Sequence, residues 1–375
     1  MRKIFTAGIA CMALFSFTPA QAQETSIETA AEQAIIVDYQ TGAILFEKNA
    51  DQRMPTSSMS KVITGYAVSE AIERGDISLQ DTCRVSEKAW RMQGSKMFVE
   101  LNSDITVEDL LRGVIIQSGN DATIVLAECL AGSEDAFANR LNEIASELGM
   151  ENSNFVNASG WPDENHYSTA RDLATLGIAL IKDHPKEYAM YKEIDFTYHD
   201  IKQGNRNPLL YKNIGADGIK TGHTEDGGYG LMASAVRDGR RVVMVLNGMS
   251  SMQERADEAT ELMTWALMNF KNEQIVTKDR IIENVPVIYG KTDDVDVIST
   301  QDVYVTKAST DTAETKTELQ VITPLKAPFK KGDKVGEMLI TTGSGKEITV
   351  PVVAASTIEE APFYKKLWQK FTNRS

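Results

Sequence analysis

Residues 216–249 read ADGIKTGHTEDGGYGLMASAVRDGRRVVMVLNGM, and the fold class follows from them. Ile219 to Thr224, Tyr229 to Arg237 and Arg241 to Asn247 are runs of strand-forming residues, parted by Gly227-Gly228 and by Asp238-Gly239. An Asp-Gly pair between apolar runs is a strong hairpin signal, because the tight turn needs positive φ at its central residues. The spacing predicts three consecutive strands, closed by a helix over about 252–271. Ala34 to Tyr39 and Ala43 to Phe46 flank a turn at Gln40-Thr41-Gly42 and predict a hairpin near the other end of the same region. Between these strands lie helical spacings. One runs from Ser58 to about Arg74 (Val62, Tyr66, Ala67, Ile72); others cover Val107 to Gln117, Ala122 to Ala131, 134–148 and 169–183. Strands at both ends with helices between them describe a mixed α/β domain whose sheet is assembled from distant segments.

Beyond residue 275 the texture changes. Val285 to Tyr289, Val303 to Val305 and Ile348 to Val353 are short β-rich runs, and Ser309 to Thr315 is a polar linker. Pro286 and Pro351 predict edge strands or bulges, since proline cannot donate to a ladder. Residues 276–357 are expected to form a small all-β second domain. After Pro362, the residues Phe363, Tyr364, Leu367, Trp368 and Phe371 recur on one helical face, with Lys365, Lys366, Lys370 and Arg374 around them. A basic amphipathic helix of this kind predicts a tail, 358–375, that associates with a membrane surface; the plainer alternative is a terminal helix packed on the β domain.

At the other end, Arg2 and Lys3 precede the mostly apolar stretch Ile4 to Phe17, and Ala20-Gln21-Ala22 offers a small-x-small cleavage site. Residues 1–22 are therefore expected to be an export signal, leaving 23–275 as the main domain. The apolar run is shorter than the ~20 residues a span needs. Removing Arg2 and Lys3 would take the net charge from −14 to −16. So acidic a chain repels DNA and RNA, which excludes nucleic acid as a partner. His166, His184, His199 and His223 fall in no metal-ligand spacing, so neither a metal nor another cofactor is expected. Cys83 and Cys129 have apolar or strand-forming neighbours that suit free thiols as well as a bridge.

Three short motifs carry chemistry. In Ser58-Met59-Ser60-Lys61, a helix opening at Ser58 puts Lys61 one turn on, its amine within reach of the Ser58 hydroxyl. Serine becomes a nucleophile when a base takes its proton, and a lysine kept neutral by burial or a nearby cation can do so. Ser118-Gly119-Asn120 lies between two helical runs, where a hydroxyl and an amide can face a cleft as proton relay and substrate hydrogen-bond donor. Lys220-Thr221-Gly222 lies on the first strand of the meander. Lys220 would supply the cation that depresses Lys61, Thr221 could bind a carboxylate, and Gly222 would let a substrate approach the backbone. Each motif alone admits a plainer reading: a capping serine with a surface lysine, a helix–helix turn, an edge strand with a stray lysine. Their joint order is what carries weight.

Taken together the motifs resemble the SxxK, SxN and KTG signature of penicillin-binding proteins and serine β-lactamases, with Gly119 where the middle motif is often written with Asp. The stretches 55–61, 116–122, 168–172, 205–207 and 217–224 closely resemble the low-molecular-mass D-alanyl-D-alanine carboxypeptidases, and the likeness covers nearly the whole chain. The resemblance implies a β-lactamase/transpeptidase-like α/β domain, its mainly antiparallel sheet flanked by helices, plus the small all-β domain. It implies removal of the terminal D-Ala from peptidoglycan stem pentapeptides through an acyl-enzyme on Ser58, with β-lactams as covalent inhibitors. It further implies Lys61 as general base, Ser118 and Lys220 as proton relays, and Asn120 on the substrate amide. The backbone N–H groups of Ser58 and His223 would form the oxyanion hole. Thr221 and Thr224 would bracket the terminal carboxylate, with Arg255 and, less directly, Arg206 nearby; the plain reading of Arg255 is a solvated charge beside Glu254 and Asp257. The expected location is the periplasm, at the outer face of the cytoplasmic membrane.

Two other functions fit the same motifs. A serine β-lactamase needs a Glu-held deacylating water, and Glu164 lies in the irregular stretch 157–168, but Pro162 to His166 does not resemble the β-lactamase loop. A non-catalytic peptidoglycan-binding scaffold would have no reason to hold Ser58, Lys61, Ser118 and Lys220 together.

Overall fold

The computed structural model describes residues 27–343 and 345–371; the expected export signal and Arg374 lie outside the described residues. The main sheet is fully antiparallel, in the order β2 (Ile44–Lys48), β1 (Gln33–Asp38), β9 (Arg240–Met249), β8 (Gly228–Arg237), β7 (Ala216–Thr224). The Asp-Gly signal is obeyed: Asp238 and Gly239 both take positive φ between β8 and β9. The first and last strand regions meet because β1 pairs with β9, Ile36 opposite Met244. This leaves β7, with Lys220-Thr221-Gly222, on an open edge.

Both faces of this sheet are covered, which is why Val242 to Leu246 reads as an unbroken apolar run. Val243 and Val245 point, with Ile35, Ile219 and Met232, into a helical layer. Val242, Met244 and Leu246 point the other way, onto Ala259, Leu262, Met263 and Ala266 of α8 (Met252–Asn269). The helical layer contains α1 (Lys61–Arg74), α3 (Val107–Ile115), α4 (Asn120–Ala131), α5 (Glu134–Glu147) and α6 (Ala170–Asp183). Side-chain caps start several of them: the hydroxyls of Thr106, Ser133 and Thr169 accept from the backbone N–H three residues on. Between α3 and α4 the backbone turns at Ser118, whose φ is +59°.

Cys83, on the short strand β3 (Thr82–Arg84), is disulfide-bonded to Cys129 of α4, with Cα atoms 5.6 Å apart. The sequence left free thiols and a bridge equally open; proximity in the fold decides for the bridge. The bond closes a long loop, and loss of such a bond typically costs about 2–4 kcal/mol. Replacing both cysteines by alanine should lower the thermal midpoint by roughly 5–15 °C. An unchanged midpoint would show that the two thiols do not form the staple.

The chain passes directly from α8 into β10 (Phe270–Val276), which pairs with β13 (Val303–Ala308). The strand therefore starts ahead of the 275/276 boundary that the change of texture suggests. The remaining β-rich part is a six-stranded sheet containing β11 (Ile281–Ile288), β12 (Asp294–Ile298), β16 (Lys334–Thr341) and β17 (Glu347–Ala354). Pro351 pairs with Glu337 of β16, while β17 meets β12 only at Val353 and Ala354. The missing N–H of Pro351 thus faces a stretch with no partner strand, which is how a proline fits a strand that is central further along.

The tail forms α9 (Phe363–Phe371). Its polar face turns inward. Gln369 is 3% exposed and accepts from the Tyr289 backbone N–H at 2.9 Å, and Lys365 pairs with Asp293 at 3.0 Å. Its aromatic face turns outward, with Phe363 79% and Phe371 81% exposed.

Candidate active site

A single helical turn, Ser57–Ser60, precedes α1 and presents Ser58. Ser57 has φ +49°, a conformation a side chain adopts only under constraint. The constraint comes from across the cleft, where its hydroxyl meets that of Thr224 at 2.9 Å. The helix opening therefore differs in detail from the expectation: Thr56, not Ser58, stands at the cap position, and the Ser58 hydroxyl is left to Lys61.

Lys61 is 1% exposed, and its Nζ lies 2.9 Å from Ser58 Oγ, 2.7 Å from Asn120 Oδ1 and 2.6 Å from the Ser159 carbonyl. Burial, aided by the positive charge of Arg206, pushes the Lys61 ammonium down to about 7, against the opposing pull of Asp121. The geometry then selects the direction of proton transfer. A neutral amine has two N–H bonds and one lone pair. Asn120 Oδ1 and the Ser159 carbonyl can only accept, so they take the two N–H bonds. The lone pair is left for the one neighbour that can donate, the Ser58 hydroxyl.

Lys220 is 3% exposed and donates to Ser118 Oγ at 3.0 Å and to the Thr221 carbonyl at 3.1 Å. Arg206 is the cation with the largest effect on Lys61, and Lys220 and Lys61 also repel one another. Lys220 is itself pushed well below the ordinary lysine range, first by burial and then by Lys61, Arg206 and Arg255. Gly222 has a packing reason as well. A Cβ there would meet the Thr56 carbonyl at 2.9 Å and Ser57 Cβ at 3.2 Å, so this glycine lets β7 pack on the turn that carries Ser58. The glycine at the middle of the second motif makes room for its own neighbours: a Cβ on Gly119 would meet Asp121 Oδ1 at 2.8 Å and the Met97 nitrogen at 3.1 Å.

The remaining expected residues fall around this centre. Asn120 spends its carbonyl on Lys61 and one N–H on the Gln93 carbonyl at 2.8 Å, which leaves the other N–H for a substrate. Arg206 bonds Ser95 Oγ at 2.7 Å. Arg255, in the first turn of α8, is 7% exposed and so is not a solvated charge. It lies over the Tyr229 ring, and its buried Nε has no hydrogen-bond partner among the described residues. Thr221 is buried beside Lys220, whereas Thr224 sits further along β7, its hydroxyl shared between Ser57 and the Gly227 N–H. The His223 ring is exposed and stacks on Tyr229 with centroids 3.9 Å apart. With both lysines biased toward the neutral form, Arg206 and Arg255 bring the positive charge to this centre of an acidic chain, a field suited to an anionic substrate end.

Several participants carry no readable signal. The Ser159 acceptor is a backbone carbonyl. His166, expected only to be no metal ligand, is buried. It receives the Val156 N–H on Nδ1 at 3.2 Å, and its Nε2 meets Ser60 Oγ at 2.7 Å. With Nδ1 accepting, the proton sits on Nε2, so His166 donates to Ser60 and is no base toward it. Glu164 is exposed on the loop, and among the described residues no carboxylate bonds the Lys61 amine.

Comparison with known proteins gives one answer. The family described as D-alanyl-D-alanine carboxypeptidase matches residues 18–251, and the penicillin-binding protein 5 C-terminal domain matches residues 270–360. The D-alanyl-D-alanine carboxypeptidase DacA of Haemophilus influenzae is 36% identical over 92% of this chain and 89% of its own. The crystal structure of penicillin binding protein 5 from the same organism superposes with a TM-score of 0.84 at 36% identity, covering 90% of this chain and 99% of that one. Penicillin-binding protein D2 from Listeria monocytogenes, solved in its cefotaxime-bound form, has a TM-score of 0.59 at 29% identity. That match covers 64% of this chain and 98% of the other.

Proposed function

The chain belongs to the D-alanyl-D-alanine carboxypeptidase family, and from that premise we propose that Ser58 is the nucleophile of its serine-type reaction and Lys61 the base. The enzyme removes the terminal D-Ala of peptidoglycan pentapeptides. Ser58 Oγ attacks the penultimate D-Ala carbonyl while its proton passes to the Lys61 lone pair. Negative charge builds on the carbonyl oxygen, which the backbone N–H groups of Ser58 and His223 receive; one such donor is worth about 3–4 kcal/mol in the protease case. Collapse breaks the peptide bond. The departing amine takes the proton that Lys61 accepted, relayed through Ser118 and Lys220, which leaves Lys61 neutral again, and the acyl group stays on Ser58 as an ester. Water then attacks the ester, giving a proton to Lys61, which passes it to Ser58 Oγ as the ester bond breaks, so that serine and neutral amine are both restored. Thr221 and Arg255, with its unpartnered Nε, would hold the terminal carboxylate; Arg206 lends positive charge, and Thr224 shapes the end of the groove. The observation that carries this reading is the Lys61 amine, buried and flanked by two fixed acceptors, with Ser58 as its third neighbour. Incubation with a pentapeptide ending in D-Ala-D-Ala tests it: mass spectrometry should show loss of one alanine, and an unaltered pentapeptide would refute it. A β-lactam opened by the same serine should form a slowly released adduct, where a β-lactamase would release it quickly.

The division of the chain belongs to the same proposal: an export signal at 1–22, the catalytic domain to about 275, the β domain to 357 and the tail from 358. The Cys83–Cys129 bridge suits an exported protein, because such bonds persist in oxidising compartments. Among the described residues no helix is long and apolar enough to cross a membrane. The tail is instead proposed to lie in the interface. A packed terminal helix would bury its aromatic face, whereas α9 docks through Gln369 and Lys365 and turns Phe363, Tyr364, Trp368 and Phe371 outward. Deleting residues 362–375 should move the enzyme from pelleted anionic vesicles into the supernatant, with activity on a soluble pentapeptide unchanged. A truncated enzyme that still pellets would show that the tail is not the anchor.

A further inference from the structure

Asp121 follows the second motif directly, is fully buried, and has no ion-pair partner among the described residues. Its carboxylate instead gathers backbone N–H groups. Oδ1 accepts from Met97 at 3.0 Å and from Ala122 at 2.9 Å; Oδ2 accepts from Phe98 at 2.9 Å and from Val99 at 3.1 Å. Three of these donors are consecutive residues of the segment 92–99, which has no ladder of its own and bends at Phe98, where φ is +69°. That segment is the outer wall of the site. The Gln93 carbonyl accepts from Asn120 Nδ2 at 2.8 Å, the Ser95 carbonyl from the Asn120 backbone N–H at 2.8 Å, and Ser95 Oγ from Arg206 at 2.7 Å. The Lys96 carbonyl accepts from Gln203 at 3.0 Å, which ties the wall to the strand Ile201–Gly204. Asn120 and Arg206 are the residues that orient and charge the surroundings of Lys61.

We propose that Asp121 is a positioning residue for the acylation step: by clamping the 97–99 backbone it holds the wall that fixes Asn120 against the Lys61 amine and Arg206 beside it. It touches neither substrate nor Ser58. Its effect on the base is both mechanical and electrostatic. Releasing the wall frees Asn120 Oδ1 from the amine, and removing the carboxylate removes the one anion that favours the ammonium; both changes lower the pH at which Lys61 becomes neutral. The charged and titratable groups that face or act on that amine are Arg206 from the segment after the β5–β6 hairpin (Asp195–Tyr198 and Ile201–Gly204), Lys220 from β7, His166 from the 157–168 loop, and Asp121 itself. Of these only Asp121 is an anion.

The test is the Asp121→Asn variant, which keeps the shape, loses the charge and offers one carbonyl oxygen where two oxygens served. It rests on Lys61 being the base, and the parent enzyme checks that separately. Acylation by a fluorescent penicillin, followed as a function of pH, should be slower in the variant by about 100-fold, the scale of a displaced catalytic group. The acid limb of its profile should lie at lower pH than in the parent. Slower acylation with an unmoved limb would mean a role in stability alone and would overturn the proposal, as would a parental rate. A parent enzyme with no acid limb would overturn the reading of Lys61 instead. Should the variant not fold, hydrogen exchange on the parent decides: the amides of Met97, Phe98 and Val99 should be protected together with those of α4, and exchange at the rate of an exposed loop would overturn the clamp.

Discussion

Replacing Ser58 by alanine should abolish release of D-Ala and remove covalent labelling by penicillin. Loss of a serine-hydrolase nucleophile costs about a millionfold in turnover in the best-dissected case, so residual activity should sit at the detection limit. The fold should survive. Ser58 does not cap α1, and its hydroxyl is bonded only to Lys61 among the described residues. Removing it forfeits one hydrogen bond, about 1 kcal/mol. Thermal unfolding of the variant should therefore stay within a few degrees of the parent while labelling is lost. A variant that still takes up penicillin would place the nucleophile elsewhere.

The second large effect concerns Lys61. Arginine keeps the positive charge and cannot give it up at working pH, so Lys61→Arg separates a base from a mere cation. Acylation should fall by about 100- to 10,000-fold, the range expected when a general base is lost. In the parent the sign of the pH dependence follows from the direction of the shift. Burial favours the neutral amine, so the active form accumulates as pH rises through about 7. Acylation should increase with pH and level off above that value. The same shift works against stability at neutral pH. Between about 7 and the ordinary lysine value of 10.5 the unfolded chain holds a proton that the folded chain does not, so this group makes the fold more stable as pH rises through that window. Parental acylation rates in Lys61→Arg would show that the base lies elsewhere.

How much of this was legible in the sequence depended on what kind of atom did the work. The central strands were readable because Val242 to Leu246 and Asp238-Gly239 state burial and turn chemistry directly. Ser58 and Lys61 were readable because three residues on a helical turn bring two side chains together, wherever the cap falls. The Ser159 carbonyl was not readable, since every residue has one. Nor was Asp121, an acid whose partners, its neighbour Ala122 apart, are backbone N–H groups more than twenty residues away. The effect of Arg206 on Lys61 was not readable, because strand order says which elements meet, not which cation a buried amine feels most. The bridge between Cys83 and Cys129 needed the docking of β3 on α4, which no local pattern states. The tail's stripe was visible, but its orientation required Gln369, a polar residue that turned out to be the buried one.

A neutral Lys61 that activates Ser58 is the centre of the proposed reaction, and one measurement tests it directly: the rate at which penicillin adds covalently to the enzyme, read by mass spectrometry with the modified peptide identified, at a series of pH values. The added mass should fall on the peptide containing Ser58, and below pH ~6 the rate should drop about tenfold for each pH unit, as expected for a base with its proton still on. An adduct on any other residue, or a rate that stays level as the pH is lowered through 7, would contradict it.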